Sequence, residues 1–332
     1  MGTYILRRLI QSVLILIGLS VIFFLILHLT PGGPCAAFEG SGARGAAAEQ
    51  ACIQRLGLDK PLPVQYFAQM GTYLHGDFGT SNYGISVQQQ IAGKLPATLL
   101  LMGSSYLLQQ LIALPLGIFA ALRQYSFFDQ LFTFTSYVGL SMPTFWLGLI
   151  LIYFFAVSHA LLPSGRVEDV ALPVFWSHDW FVMLQHQPGL ILGDLVRHLI
   201  MPMFVLMFTG IAADSRFMRA SMLEVINQDY IRTAKAKGLS RRTVIFKHAF
   251  RNAVLPIITN IALYLPNLVG GAVITETIFS WGGLGFTLIN SITANDYPTI
   301  QAILMISALA VLVANLLADL TYAWVDPRIR YD

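Results

Sequence analysis

The chain has 332 residues, a formal net charge of +3, 56% hydrophobic residues and only 11% charged ones. Soluble domains carry about a quarter charged residues, so a water-soluble fold of this length would lack polar surface. The apolar residues also gather in blocks, and about 20 in a row suffice to cross a bilayer. The composition points to an all-α polytopic membrane protein.

Six spans are expected, at 9–29, 95–122, 131–161, 195–215, 253–275 and 297–318. The chain divides into residues 1–29 (N-terminus and first span), an outer segment 30–94, and a core 95–332 holding the other five spans. The first span follows Arg7 and Arg8 but is too long for a signal peptide, and no small-x-small cleavage site follows in "HLTPGGP". It reads as uncleaved. The outer segment opens with "GSGARGAAAEQ", expected to be a flexible tract, followed by an ordered "LGLDKPLPVQYFAQM". Its Cys35 and Cys52 either pair in an oxidising compartment or are two unrelated thiols.

In the second span, Ala113, Gly117 and Ala121 recur every four residues, which allows close helix approach in lipid. Pro143 in the third span and Pro266 in the fifth free backbone carbonyls, and read either as packing kinks or as backbone lining a water-filled path. A long outer loop after span three carries "FWSHDWF", whose aromatics suit the membrane–water interface. The fourth span has the shortest charge-free core, 199–213, so Arg197 and Asp214 must lie near the interfaces or face protein.

Between spans four and five, residues 216–251 hold nine Lys and Arg against Glu224 and Asp229, a local balance of +7 in a chain of +3. Placing the N-terminus inside puts 14 of the 20 Lys and Arg in inner segments, so this stretch and both termini are expected to be cytoplasmic. Ser221 and Glu224 match the S-x-x-E capping box, predicting a helix start there. Leu223, Ile226, Tyr230 and Ala234 would form its apolar face. Gly238 would end that helix in the left-handed conformation, and Ser240 would cap a second one. A basic helix–turn–helix for DNA, a basic loop lying on anionic lipid and a protein-docking element all compete for this segment. A DNA-binding domain does not fit between two membrane spans. A lipid-bound loop does not explain a sharply turned helix pair.

"QDYIRTAKAKGLSRR" with "KHAFRNAVLP" resembles the cytoplasmic loop of binding-protein-dependent ABC transporter permeases of the dipeptide/oligopeptide/nickel branch. "LHLTPGGP", "LGLDKPLPVQY", "LPATL", "GLSMPTFWLG" and the terminal "DPRIRYD" are similar to that branch in the same order. One departure stands out: anchored on Gly238, the general loop pattern wants an acidic residue where this chain has Arg232, followed by Thr233 and Ala234. The resemblance implies a type I importer permease with a coupling loop at 216–252. It implies docking of an ATPase on Ser221, Glu224, Asp229, Tyr230, Arg232, Thr233, Ala234, Lys235, Ala236, Lys237, Gly238, Leu239, Arg241 and Arg242. Its implied partners are a second homologous permease, two cytoplasmic ATPases that use ATP and Mg, an extracytoplasmic substrate-binding protein and membrane lipid, with no nucleic acid. The implied location is a prokaryotic plasma (inner) membrane. Peptides are the expected cargo, with nickel complexes or another small solute as the alternative.

No Walker A, H-E-x-x-H or G-x-S-x-G sequence occurs, and the seven histidines show no ligand spacing. The chain is therefore expected to catalyse nothing and to bind no metal or cofactor itself. Polar groups inside membrane spans tend to face protein or a cavity, which nominates Asn260, Asn267, Thr275, Glu276 and Asn315 for the translocation path. Glu276, in "TETIFSWGGLG", is further expected at an outer gate facing the binding protein. An ion-coupled secondary transporter would need buried ionisable residues at mid-span, and spans two, three, five and six have none. A membrane-tethered regulator that binds nucleic acid would need no second permease.

Overall fold

A backbone N–H or C=O left unpaired in lipid costs several kcal/mol, and a helix satisfies nearly all of them within one segment. The apolar blocks accordingly become helices. The structure, a computed structural model, describes residues 2–30, 33–38, 42–258, 260, 264 and 272–325. Its elements are α1 (Gly2–Leu29), a short 3-10 turn (Gly33–Phe38), α2 (Gly42–Leu56), α3 (Leu62–Leu74), α4 (Val87–Leu122), α5 (Phe127–Ser141) and α6 (Thr144–Leu151), which widens into a π-helical stretch (Ile152–Ser158). There follow α7 (His178–His186), α8 (Pro188–Ile226), α9 (Asp229–Ala236), α10 (Arg241–Thr243) continued by a π-helical run (Val244–Phe250), α11 (Arg251–Ala253), α12 (Val273–Ile278), α13 (Leu284–Thr293) and α14 (Tyr297–Val325).

Among the described residues four helices are long and apolar enough to cross a membrane: Leu6–Leu29, Val87–Leu122, Pro188–Ile226 and Tyr297–Leu317. The third expected span is a broken one. α5 and the α6 run meet at 98°, because Pro143 cannot continue a helix and forces Met142 into extended backbone (φ −84, ψ 119). That is far beyond a packing kink. Counting the pair as one crossing gives five among the described residues. About half of the fifth expected span, 253–275, lies outside the described residues, including Pro266 and Asn267.

The outer segment is more ordered than expected. "GARGAAAEQACIQRL" is helix α2, since a run of alanines has the highest intrinsic helix propensity and its glycines sit toward the start. α3 begins directly after Pro61, a favoured helix-start arrangement. The Cys35 and Cys52 sulfurs are bonded at 2.08 Å and join the 3-10 turn to α2. Two aromatics of "FWSHDWF" also turn inward: Phe175 and Trp180 are buried in a cluster with Leu101, Ile191 and Trp281. Trp176 and Phe181 remain on the surface.

α4 against α8 is the most extensive helix contact. At 1.5 Å per residue these helices are about 54 and 58 Å long, well beyond the roughly 30 Å hydrocarbon core. Ala113, Gly117 and Ala121 are all buried in α4. A Cβ on Gly117 would sit 2.5 Å from the Ser215 carbonyl oxygen and 2.7 Å from Met218 Cβ of α8, so the small-residue stripe is where the two backbones approach closely. Asp214 accepts from Gln109 and so faces protein, whereas Arg197 is exposed and donates to the Leu161 carbonyl at 3.3 Å.

Candidate functional site

The basic segment starts with a correction. α8 does not end before Ser221; it runs unbroken to Ile226. Ala212, Ser215, Met218 and Met222 form a continuous buried stripe at helical spacing that carries the helix past the capping box. Ser221 Oγ instead donates to the Ala253 carbonyl at 2.7 Å, and Glu224 is exposed on the same helix. The break falls at Asn227 and Gln228, which resets the helical phase. The apolar face of α9 is therefore Ile231 and Ala234, while Tyr230 is 44% exposed.

The apolar face is not free for a partner. Ile231 and Ala234 pack with Ala121, Met218, Met222, Val244, Ala249, Ala253 and Ile257 in one cluster of this chain's own core. Gly238 has φ +73, the left-handed conformation that terminates α9. Ser240 Oγ accepts from the Thr243 N–H at 3.3 Å, capping α10 as expected. What the turn presents outward is Asp229, Tyr230, Arg232, Thr233, Lys235, Ala236, Lys237, Leu239, Arg241 and Arg242, all exposed. The Arg232–Asp229 ion pair at 3.6 Å is itself exposed and contributes little. A groove of about 790 Å³ runs between this turn and the α4–α5 connection, lined by Arg123, Tyr125, Leu223, Lys235, Leu239 and Arg241 among others.

Two of the nine cations are spent inside the chain. Arg219 makes a two-pronged pair with Asp129 of α5, both bonds at 2.9 Å, and Arg216 lies 4.6 Å over the Tyr137 ring. Both fasten α8 to α5. The turn is thus the end of a rigid unit: exposed cations and apolar side chains outside, and a buried cluster that joins them to α4 and α8.

The nominated path residues separate into different settings. Glu276 is fully buried, so it does not face outward at a gate. Its Oε1 accepts from Thr98 Oγ1 at 2.9 Å and its Oε2 from the Phe286 N–H at 3.0 Å, while Thr98 Oγ1 accepts from the Leu284 N–H at 2.8 Å. The carboxylate therefore caps the first turn of α13, where unpaired N–H groups favour negative charge. Trp281 Nε1 donates to the Ala97 carbonyl at 2.9 Å, a second tie from the same hairpin to α4. Thr275 is also buried. Asn260 and Asn315 are half-buried, and Asn267 lies outside the described residues. Charge-based reading missed a polar cluster of Tyr106, Gln109, Gln110, Asp214 and Tyr264, because glutamine and tyrosine do not interrupt a charge-free run.

Among the described residues no group of three or more His, Cys, Asp and Glu is arranged to hold a metal. Residues 113–331 match the family described as the binding-protein-dependent transport system inner membrane component, and residues 1–101 match its N-terminal region. The chain is 42% identical over 335 residues to the oligopeptide transport system permease protein AppB of Bacillus subtilis, covering the whole of both chains. It is 39% identical over 344 residues to the dipeptide transport system permease protein DppB of Escherichia coli K12, with 99% and 98% covered. A putative peptide permease of Brucella suis is 38% identical over 330 residues, with 98% of each chain covered. A multi-pass helical chain, a basic turn anchored in its own core and matches along almost its whole length agree: the chain belongs to the family of binding-protein-dependent transport system inner membrane components, the permease subunits of ABC importers.

Proposed function

We propose that this chain forms half of the translocation path of an ATP-driven peptide importer and that its Asp229–Arg242 turn is the coupling element. The second half is a homologous permease, two cytoplasmic ATPases hydrolyse ATP with Mg, and an extracytoplasmic protein delivers the peptide. The turn and both termini face the cytoplasm, with 14 of the 20 Lys and Arg on that side. The names of the relatives, oligopeptide and dipeptide permeases, support peptide as cargo.

The observation that carries the reading is the two-sidedness of the turn. Tyr230, Arg232, Lys235, Leu239 and Arg242 are exposed, while Ile231 and Ala234 are sunk into a cluster shared with α4 and α8. A partner that grips the outer face moves the inner face with it. Because packed interfaces have discrete arrangements, such a push resolves into rocking of one rigid body against another. Asn260 and Asn315, half-buried, stay as path candidates; Glu276 serves to hold α12 and α13 to α4.

The test is Gly238→Val. A Cβ there meets nothing within 4 Å, so the whole effect is backbone strain. A β-branched residue held at φ +73 costs on the order of 1–3 kcal/mol. We expect normal abundance in the membrane, weak ATPase co-purification and lost peptide uptake, while Arg241→Lys with Arg242→Lys has a smaller effect. Normal assembly and uptake by Gly238→Val would refute the coupling role of this turn.

A further inference from the structure

Deep in the α4–α8 contact lies a carboxylate that the coupling reading does not use. Asp214 sits twelve residues before the Ile226 end of α8, and Gln110 twelve before the Leu122 end of α4. Both are therefore about 18 Å in from those ends. Asp214 Oδ2 accepts from Gln109 Nε2 at 2.6 Å and from Gln110 Nε2. Gly210, one turn before it, makes room for the Gln109 amide, which a Cβ there would meet at 2.0 Å. Tyr106 stacks on Tyr264 with ring centroids 3.9 Å apart. Asp214 is close enough to both phenols to interact electrostatically with each.

The donor–acceptor balance of this cluster is uneven. A carboxylate only accepts, so it fixes both glutamine amides with their NH2 groups toward it. Gln110 Oε1 is then turned away, buried and without a partner, on a side chain only 9% exposed. Among the described residues the ion pairs involve Asp319, Asp194, Asp129 and Asp229, and none reaches Asp214. A charged side chain within a membrane helix is costly unless it is paired. A neutral Asn would bridge the two helices as well at less cost. The site thus holds a carboxylate, a free amide oxygen and two phenol rings, and no cation. An ammonium group supplies what is missing: three N–H donors, a positive charge, and a fit to aromatic faces. Tyr106, Asp214 and Tyr264 are each only half-buried, so the cluster has an open side.

We propose that Asp214, Gln110, Tyr106 and Tyr264 form a station in the translocation path for a primary ammonium group, the N-terminus or a lysine side chain of a passing peptide. As peptide chemistry this rests on the function proposed above, but an amine probe tests the station directly. The purified transporter is irradiated with a lysine amide carrying a photoactivatable diazirine, and in parallel with the same probe acetylated on both amines. Labelled segments are then located by mass spectrometry. Loss of a charge-assisted contact lowers occupancy roughly tenfold or more. We therefore expect label on the segments holding Tyr106 or Asp214, and about tenfold less with the acetylated probe or with Asp214→Asn, which keeps an acceptor for the glutamines. Equal labelling by the acetylated probe on the unaltered chain overturns the station whatever the variant does. Unchanged labelling of Asp214→Asn overturns it too and leaves the cluster as a helix bridge. If the label behaves as expected but proteoliposomes take up no peptide, the station stands and the peptide reading falls.

Discussion

Gly117→Ala adds one methyl group where the two longest helices meet. The new Cβ would lie 2.5 Å from the Ser215 carbonyl oxygen, 2.7 Å from Met218 Cβ and 3.1 Å from the Arg219 nitrogen. Carbon contacts are comfortable at about 3.5–4.0 Å, and two of these three atoms are backbone, so rotation of a side chain gives no relief. The helices must part by about 1 Å. A gap of that size forfeits a quarter to a half of each dispersion contact across it, and overpacking of this kind costs roughly 1–3 kcal/mol. In lipid the penalty falls on the packing energy itself, because apolar burial adds no driving force between helices.

Gly93→Ala provides the matched control: it is exposed in the same helix, has nothing within 4 Å of its Cβ position, and gains helix propensity of about 0.5–1 kcal/mol. Thermal unfolding of the detergent-purified chain should put Gly117→Ala several degrees below wild type and Gly93→Ala at or slightly above it. If Gly117→Ala unfolds at or above the Gly93→Ala temperature, α4 and α8 do not approach as described.

Three further outcomes are expected. Thr98→Val removes the hydroxyl between Glu276 and the Leu284 N–H; the unpartnered groups left behind cost about 1–3 kcal/mol each, readable as a lowered unfolding temperature that Thr98→Ser restores. Burial raises the Glu168 carboxyl above its ordinary 4.5, so its charged form opposes folding and this penalty is present at neutral pH and vanishes as pH falls below the ordinary value; Glu168→Gln should raise the melting temperature at pH 7 and leave it unchanged in acid, and a loss at pH 7 would contradict the assignment. Non-reduced peptide mapping should find Cys35 and Cys52 linked, and at a separation of 17 residues their removal should lower stability by about 3 kcal/mol in the loop-entropy picture; two freely alkylated thiols would contradict the bonded pair.

Residue patterns foretold helix interiors better than helix ends. The Ala113–Gly117–Ala121 stripe needs only a spacing of four, and the structure puts it in the α4–α8 contact. Gly238 and Ser240 likewise announce a turn through local backbone and capping chemistry. Ser221 misled because a capping box is a local signal, and the buried stripe through Met218 and Met222 with the bond to Ala253 outweighs it. Pro143 was visible, but its 98° consequence depends on what α5 and α6 pack against. Glu276 looked like an outward carboxylate because nothing in its own segment reveals that Thr98, 178 positions earlier, lies against it. The Asp214 cluster escaped notice for a like reason: the glutamines that bond Asp214 sit over a hundred residues away on another helix.

The first helix has a consequence for biosynthesis. Only 11% of its apolar window is buried; Ser20 and His28 bond Tyr66 and Gln65 of α3, and its other attachments come late in the chain. Leu27 packs with Tyr297 and Ile300 near one end, and Arg8 hydrogen-bonds Asp319, 311 positions away, near the other. A chain emerges from the ribosome at about 5–20 residues per second, so α1 waits in the bilayer for at least fifteen seconds or so before α14 exists. Its nearly all-round apolar surface suits that wait. Closure of α1 onto α14 is then a late tertiary event of synthesis, and a chain truncated before Tyr297 would leave α1 inserted but without its contacts to α14.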